Sequence, residues 1–302
     1  MSKFKKYKIY ELNVFFLMSL IVLATNKPAV AQGQDTSRSE RDQQVIAALL
    51  PGEYFNANQS YFDKRTATSP AQNAYKLAIR AEGNNRHPKS FKISVGKKGE
   101  KSKELVAVLS EAKNSDVTKL TLLSENKSET PCTLYFSRQA GQFGTVSNKD
   151  CNKNPSMPKS IELSERHLWW HTASDGLIKF DKSRKFTCHA DMPGVGGGRN
   201  EPYKRFSDLK IHDQGGQEWI KTDTGRNLAI RLFRVDWPIN NFDGEFARDS
   251  LAMYVIEKNS DGSFKEHGYA FVDDEADRIG LNLKWILVSC YLQSNKVTTP
   301  EM

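Results

Sequence analysis

The residues best able to do chemistry in this chain are its six histidines and four cysteines, and their spacing limits what that chemistry could be. His167 and His171 flank Leu168-Trp169-Trp170, and positions four apart on an extended segment share a face. At ~3.3 Å per residue their side chains stand roughly 13 Å apart, too far to hold one ion together. His189 with Asp191 and His212 with Asp213 are close pairs, but neither belongs to a known ligand or catalytic spacing, and His-Glu-x-x-His does not occur. Cys132, Cys151, Cys188 and Cys290 contain no Cys-x-x-Cys, which argues against zinc. There is no Gly-x-Ser-x-Gly elbow, and nothing singles out one pair of carboxylates for glycoside hydrolysis. Metallohydrolase and serine-hydrolase chemistry therefore lack support, and no metal or cofactor is expected.

The cysteines have a second use. Lys3, Lys5, Lys6 and Lys8 precede an apolar run from Val14 to Ala24, and Ala29-Val30-Ala31 supplies small residues for cleavage, the pattern of a secretory signal peptide over residues 1–31. The apolar run is short of the ~20 residues that a spanning helix needs, and no cysteine near the site suggests a lipid anchor. An exported chain, periplasmic or secreted, meets oxidising conditions, so an even number of cysteines reads as two disulfides. Cys132 with Cys151 is preferred because the two flank a hairpin, which leaves Cys188 with Cys290. Removing residues 1–31 takes away five lysines and one glutamate, lowering the formal charge from +8 to +4. That excess is spread thinly, without an arginine-rich helix, which excludes nucleic acid as the expected partner. Lys97, Lys98, Lys101 and Lys103 form the densest basic patch and read as a solvated loop.

The elements that must position these residues are mostly strands. In Cys132 to Cys151, Leu134, Phe136 and Arg138 alternate with Thr133, Tyr135 and Ser137, Ala140-Gly141-Gln142 turns, and Phe143 to Val146 resumes as a second strand. Further runs at Tyr75 to Ala81, Phe91 to Val95, Leu105 to Leu109, Lys159 to Leu163, His167 to His171, Gly176 to Asp181 and Phe186 to His189 read as strands, while Thr118 to Leu123 is open between strand and short helix. A polar linker over 32–38 precedes a helix from Ser39, capped by Ser39 or Asp42, with Val45, Ile46, Leu49 and Leu50 at helical spacing. The stretch from Gly52 to Phe62 is compatible with an amphipathic helix over a barrel end. Residues 191–205 form a Gly/Pro-rich connector without the strand and helix that a phosphate loop needs. Beyond it lies a strand-rich extension over 206–302, expected to pack on the barrel: Leu228 to Val235, Leu251 to Glu257, Gly268 to Val272 and a single run from Leu281 to Tyr291, with a turn signal at Asn259-Ser260-Asp261-Gly262. The fold class that follows is all-β, an antiparallel barrel over 39–190 with an N-terminal helix and extra C-terminal strands.

A barrel carrying aromatics and scattered arginines has the composition of a pocket for an apolar ligand with acidic ends. Tyr54, Phe136, Trp169 and Trp170 could line it, and Arg138 or Arg80 could pair with a ligand carboxylate. Core aromatics and surface ion pairs are the plainer reading of each position.

Two blocks carry a family resemblance. Gly52-Glu53-Tyr54-x-Asn56-x-x-Gln59, followed by Pro131-Cys132-x-Leu134-x-Phe136-x-Arg138 with Phe143-Gly144 and Cys151, resembles the CpcT/CpeT family of phycobiliprotein chromophore lyases over roughly residues 40–190. The resemblance implies a lipocalin-like (calycin) antiparallel barrel, often dimeric, that holds an open-chain tetrapyrrole, or bilin, and delivers it to a cysteine of an acceptor protein. It marks Tyr54, Asn56, Gln59, Phe136 and Arg138 as ligand-binding positions, joined by Trp169 from the pocket reading. The chemistry would be proximity and orientation, with the acceptor thiolate as nucleophile. Because phycobiliproteins are assembled in the cytoplasm, the export signal adds an alternative: a non-enzymatic exported barrel that binds a tetrapyrrole or another apolar acid. A third reading is an interaction module of the cell envelope.

Overall fold

A computed structural model describes residues 37–66, 71–83, 88–112, 117–125, 129–193, 202–236 and 249–293. The signal segment, most of the polar linker and the centre of the Gly/Pro-rich stretch lie outside these residues. The first element is α1 (Arg38–Leu49). Its N-cap is Ser37, whose hydroxyl accepts from Glu40 N at 3.1 Å, rather than Ser39 or Asp42. Those two lie in the first and second turns of the helix and face inward: Ser39 Oγ reaches Val117 O, and Asp42 pairs with Arg138. Ile46, Ala47 and Leu50 bury the apolar edge of the helix, and Pro51 stops it.

Ten strands follow as β1 (Gly52–Phe55), then, after α2 (Ala57–Arg65), β2 (Tyr75–Ala81), β3 (Ser90–Lys97), β4 (Lys103–Glu111), β5 (Thr118–Ser124), β6 (Cys132–Gln139), β7 (Gln142–Lys149), β8 (Pro158–Leu163), β9 (His167–Thr172) and β10 (Gly176–Lys182). They form a closed antiparallel barrel in which each strand from β2 onward pairs with its predecessor and β1 closes the ring between β2 and β10. The expected all-β, lipocalin-like class is what the chain adopts. Two corrections come from the Gly52–Phe62 stretch: its first half is strand, and helix begins only after Asn56. β5 is a strand because its alternation of Thr118, Leu120 and Leu122 inward fits a wall two residues per repeat. The β6–β7 hairpin turns on Ala140 (φ 47°) and Gly141 (φ 80°), the doubly positive pair that matches strand twist in a two-residue loop. Cys132 and Cys151 are bonded across its open end.

The lumen is occupied by the chain itself. Leu77, Phe91, Leu134, Phe136, Trp170 and Phe180 are among its fully buried side chains and belong to one continuous core. Burying each contributes about 1.5–3 kcal/mol relative to exposure.

The barrel sheet ends at Lys182, and β11 (Lys185–Pro193) already belongs to a second body. With β12 (Tyr203–His212), β13 (Gln214–Lys221), β14 (Asn227–Val235), β15 (Ser250–Lys258), β16 (Phe264–Asp273), β17 (Arg278–Asn282) and β18 (Leu287–Leu292), it forms two four-stranded sheets, β12-β11-β18-β17 and β13-β14-β15-β16, sharing a separate core. Cys188 and Cys290 sit opposite each other on β11 and β18 and are bonded. This bridge therefore lies within the second body and does not tie it to the barrel. The run from Leu281 to Tyr291 is two strands and a turn at Lys284 (φ 69°), and its buried residues are Leu281, Ile286, Val288 and Cys290, with Leu287 outside. The single run expected from the sequence is thus broken, and the turn inverts the alternation between Leu281 and Val288.

The two bodies are pinned together. Ser183 N and Oγ both donate to Glu53 O, at 2.8 and 2.9 Å, Arg184 Nε reaches Asp213 Oδ2 at 2.7 Å, and Arg166 pairs with Asp274 and Glu275. Asn58 of α2 donates from Nδ2 to Arg234 O at 3.1 Å, a further contact of the second body with the barrel side.

Candidate functional site

Where the pinned edge ends, a cleft of about 620 Å³ opens between the two bodies, within the range of small-molecule sites. The barrel contributes Phe55 from the end of β1, Tyr61 and Lys64 from α2, Tyr75 and Lys76 from the start of β2, and the β3–β4 turn from Lys97 to Ser102. The second body contributes His212, Gln214, Gly215 and Arg231. One ring contact crosses the cleft: His212 of the second body lies flat on Phe55 of the barrel, with centroids 4.4 Å apart and planes 7° from parallel. The rim carries Lys64, Lys76, Lys97, Lys98 and Arg231 with one carboxylate, Glu100, while Lys76 pairs with Glu53 at 3.7 Å and Lys97 with Asp175 at 3.6 Å.

Three of these cations also overlie rings. Lys76 Nζ stands 5.5 Å from the Phe55 centroid, Lys97 Nζ 5.8 Å from that of Tyr75, and the Arg231 guanidinium 5.6 Å from that of Phe233. Tyr75 donates its hydroxyl to Asp175 Oδ1 at 2.6 Å, and burial together with that carboxylate pushes its pKa upward, so it remains a phenol. Desolvation lowers the pKa of His212, and the backbone N–H of Gln214 donates to its Nδ1 at 3.2 Å, which places the proton of the neutral ring on Nε2. Such a cleft can stack a flat molecule and neutralise its acids. Among the described residues no cluster of three or more His, Cys, Asp or Glu side chains is arranged to hold a metal, and all four cysteines are in disulfides.

The residues marked from sequence fall in several places. Tyr54 is fully buried, with its hydroxyl on Leu49 O and Leu50 O, and so fastens α1 to the barrel. Asn56 touches the cleft, but its amide is committed to Asn73 O and Tyr75 N. Gln59 does the work of a missing strand along β10, donating to Leu177 O and accepting from Lys179 N. Phe136 and Trp170 are core of the barrel. Arg138 is half-exposed near the end of β6, over Phe143 and paired with Asp42 of α1 at 3.5 Å, and Arg80 is exposed on β2. Trp169 lines a smaller cavity of about 400 Å³ with Phe62, Lys179, Asp181 and Asp236. There Asn58 Nδ2 bonds both Asp181 and Asp236, and desolvation with the neighbouring Asp181 charge pushes the Asp236 carboxyl up to about 6.

Sequence reasoning missed the large cleft because its halves are far apart in the chain. Lys97 and Lys98 read as a solvated loop and His212 as an unsupported pair with Asp213, which instead binds Arg184. One local signal was present: Gly215-Gly216 interrupts a strand pattern, the mark of a bulge. Comparison with protein-family models, with curated proteins and with solved structures finds no match to the chain.

Proposed function

We propose that this is an exported barrel protein that binds a flat, apolar ligand with acidic ends in the cleft between its two bodies, an open-chain tetrapyrrole being the class that the sequence resemblance names. The observation that carries this reading is a cavity of about 620 Å³ lined by Phe55, Tyr75 and His212 together with five cations, of which Lys76 and Lys97 are paired with Glu53 and Asp175. Export is supported by the leader pattern and by two disulfides, and no described helix is long and apolar enough to cross a membrane. The reading favoured is a carrier, since none of the cysteines is free to act and the cleft offers orientation more than proton transfer.

A bilin lyase is the second reading. It is favoured by the two resembling blocks, which supply β1, α2 and the β6–β7 hairpin of a closed antiparallel barrel, and by an open rim at Tyr61, 46% exposed, where a bound ligand's edge stays within reach of an acceptor thiolate.

Titration of the mature protein with biliverdin, followed by absorbance, tests the carrier. A saturable spectral shift is expected, with affinity about tenfold lower in Lys97→Met/Lys98→Met for the lost charge-assisted contacts. No shift at any accessible concentration would remove both tetrapyrrole readings. Catalytic appearance of a thioether on a cysteine-bearing acceptor would replace the carrier by the lyase.

A further inference from the structure

Each sheet of the second body ends on both sides in a strand with one neighbour, and three of these four edges are guarded. β12 is broken by a register shift between Cys188 and Ala190, takes Asp208 at φ 62° and carries Lys204, Arg205 and Lys210; β13 holds the bulge between Gln214 and Gln217; β17 has only 5 residues. Bulges, charges and short length are how proteins keep a free edge from pairing with another chain. β16 lacks this protection over half its length. It runs for 10 residues, and its one bulge falls at His267, between the pair Val255 with Gly268 and the pair Ile256 with Glu266. Beyond that bulge Gly268-Tyr269-Ala270-Phe271-Val272 continues without a charge or a proline. Among the described residues only β15 pairs with it. Ala270 and Val272 pack on the core, which turns Tyr269 and Phe271 to solvent, 55% and 51% exposed, with their ring centroids 5.1 Å apart.

We infer that this edge pairs with the same edge of a second copy of the chain, antiparallel about a two-fold axis at Ala270. The segment is self-complementary in that register. Tyr269 stands across from Phe271 of the second copy and Phe271 across from its Tyr269, while Gly268 meets Val272, so every contact is made twice, as a closed pair requires. Charge favours the same direction. β16 begins with the exposed Lys265 and Glu266 and ends in the exposed Asp273; antiparallel pairing brings each Asp273 toward a lysine, whereas parallel pairing would set Asp273 against Asp273. Tyr269 and Phe271, about half exposed at 150–250 Å² each, bring roughly 400 Å² to the pair, and the ladder between the edges adds to it; an interface below ~1,200 Å² belongs to the transient class. A dimer that forms and dissociates at micromolar concentration is therefore expected. The surface lies wholly in the C-terminal extension and does not depend on the ligand-binding reading above.

Analytical ultracentrifugation of the mature protein from about 1 to about 200 μM, a range that brackets a micromolar constant, tests the pairing. A reversible rise from one copy to two is expected, stopping at two. Tyr269→Lys/Phe271→Lys should weaken association at least about tenfold and leave the urea midpoint of the monomer in place, because both side chains are exposed. Tyr203→Lys, at a residue 70% exposed on the guarded edge of β12, should leave the dimer unchanged. The register has its own readout, which also serves if the lysine variant does not fold. Tyr269→Cys protein mixed with Phe271→Cys protein should give, under mild oxidation, a linked dimer that neither gives alone. A monomer at every concentration, a dimer indifferent to the two lysines, equal loss in Tyr203→Lys, or growth beyond two copies overturns the inference. Retention on phosphatidylcholine vesicles that is lost in the lysine variant, with the free protein monomeric throughout, would assign the face to a membrane surface and overturn it as well.

Discussion

Replacing Tyr54 by Phe removes one oxygen from the seam between α1 and the barrel, and the structure sets what that should cost. The last carbonyls of a helix have no partner within it. Here two of them, Leu49 O and Leu50 O, lie in the interior, and the Tyr54 hydroxyl stands 2.9 Å from each, while Lys182 Nζ donates to Leu49 O at 2.7 Å. In Tyr54→Phe, Leu49 O keeps Lys182 and Leu50 O is left unmet. One unmet buried carbonyl costs about 1–3 kcal/mol, and the ring still fills its place, so a loss near 2 kcal/mol is expected. At a urea m-value of about 2–3 kcal/mol/M the midpoint should fall by somewhat under 1 M. Lys182, whose ammonium lies over the Tyr54 ring and whose pKa burial pulls down to about 8, is the partner for a double-mutant cycle. Lys182→Met combined with Tyr54→Phe strips Leu49 O as well, so the two losses should be non-additive by at least about 0.5 kcal/mol. A change below about 0.5 kcal/mol in Tyr54→Phe, accompanied by loss of biliverdin binding, would refute the structural role and return Tyr54 to the ligand.

Two carboxylates should impose opposite pH dependences on stability. Hydrogen bonds from Arg226 and His267 hold Glu257 down to about 2, against an ordinary value near ~4.3, so the stability it contributes is complete above that value and is lost as pH falls toward 2. Asp236, raised to about 6 by desolvation and by Asp181 and Asp249 against the attraction of Arg234 and Arg166, gives stability only when protonated; that part is complete below ~4 and is lost as pH rises through 6. Urea midpoints measured from pH 3 to 8 should therefore lose their slope between ~4 and 6 in Asp236→Asn, and below ~4 in Glu257→Gln; unchanged slopes in both variants would contradict the assignment. The disulfides should differ in weight, since Cys188–Cys290 closes 102 residues and Cys132–Cys151 only 19. Loop entropy makes the double Ala variant of the first pair about 1.5 kcal/mol more costly than that of the second, a gap that chemical denaturation of the two variants measures directly.

The barrel was legible because its signal is local. Strict alternation in β2 and β6, a two-residue turn at Ala140-Gly141 and cysteines at matching hairpin ends each specify a neighbour only a few residues away. Reading failed where two local signals overlapped. Gly52 to Phe62 holds apolar residues that suit either period, and only closure of the ring, with Tyr54 opposite Leu77 and Lys182, decides that its first half is strand. Leu281 to Tyr291 alternates without a break in residue type, and the turn at Lys284 is carried by no glycine or proline. The site was less legible than the fold for the same reason: Lys97 and Arg231 are 134 positions apart in the sequence and meet only after both bodies are complete.

The proposal that a ligand binds between the bodies rests on how each is filled. Phe91, Phe136, Trp170 and Phe180 occupy the lumen side by side, so a ligand there would have to displace core that stabilises the barrel. The second body packs its two sheets on each other and is equally closed. What remains is the angle between them, fixed on one side by Ser183 on Glu53 O and Arg184 on Asp213. On the other side, Lys64, Lys76, Lys97 and Lys98 of the barrel face Arg231 of the second body. Lys76 and Lys97 are in turn paired with Glu53 and Asp175, which tempers the charge on the barrel side. The C-terminal extension is part of the proposed site because it carries one of the two walls.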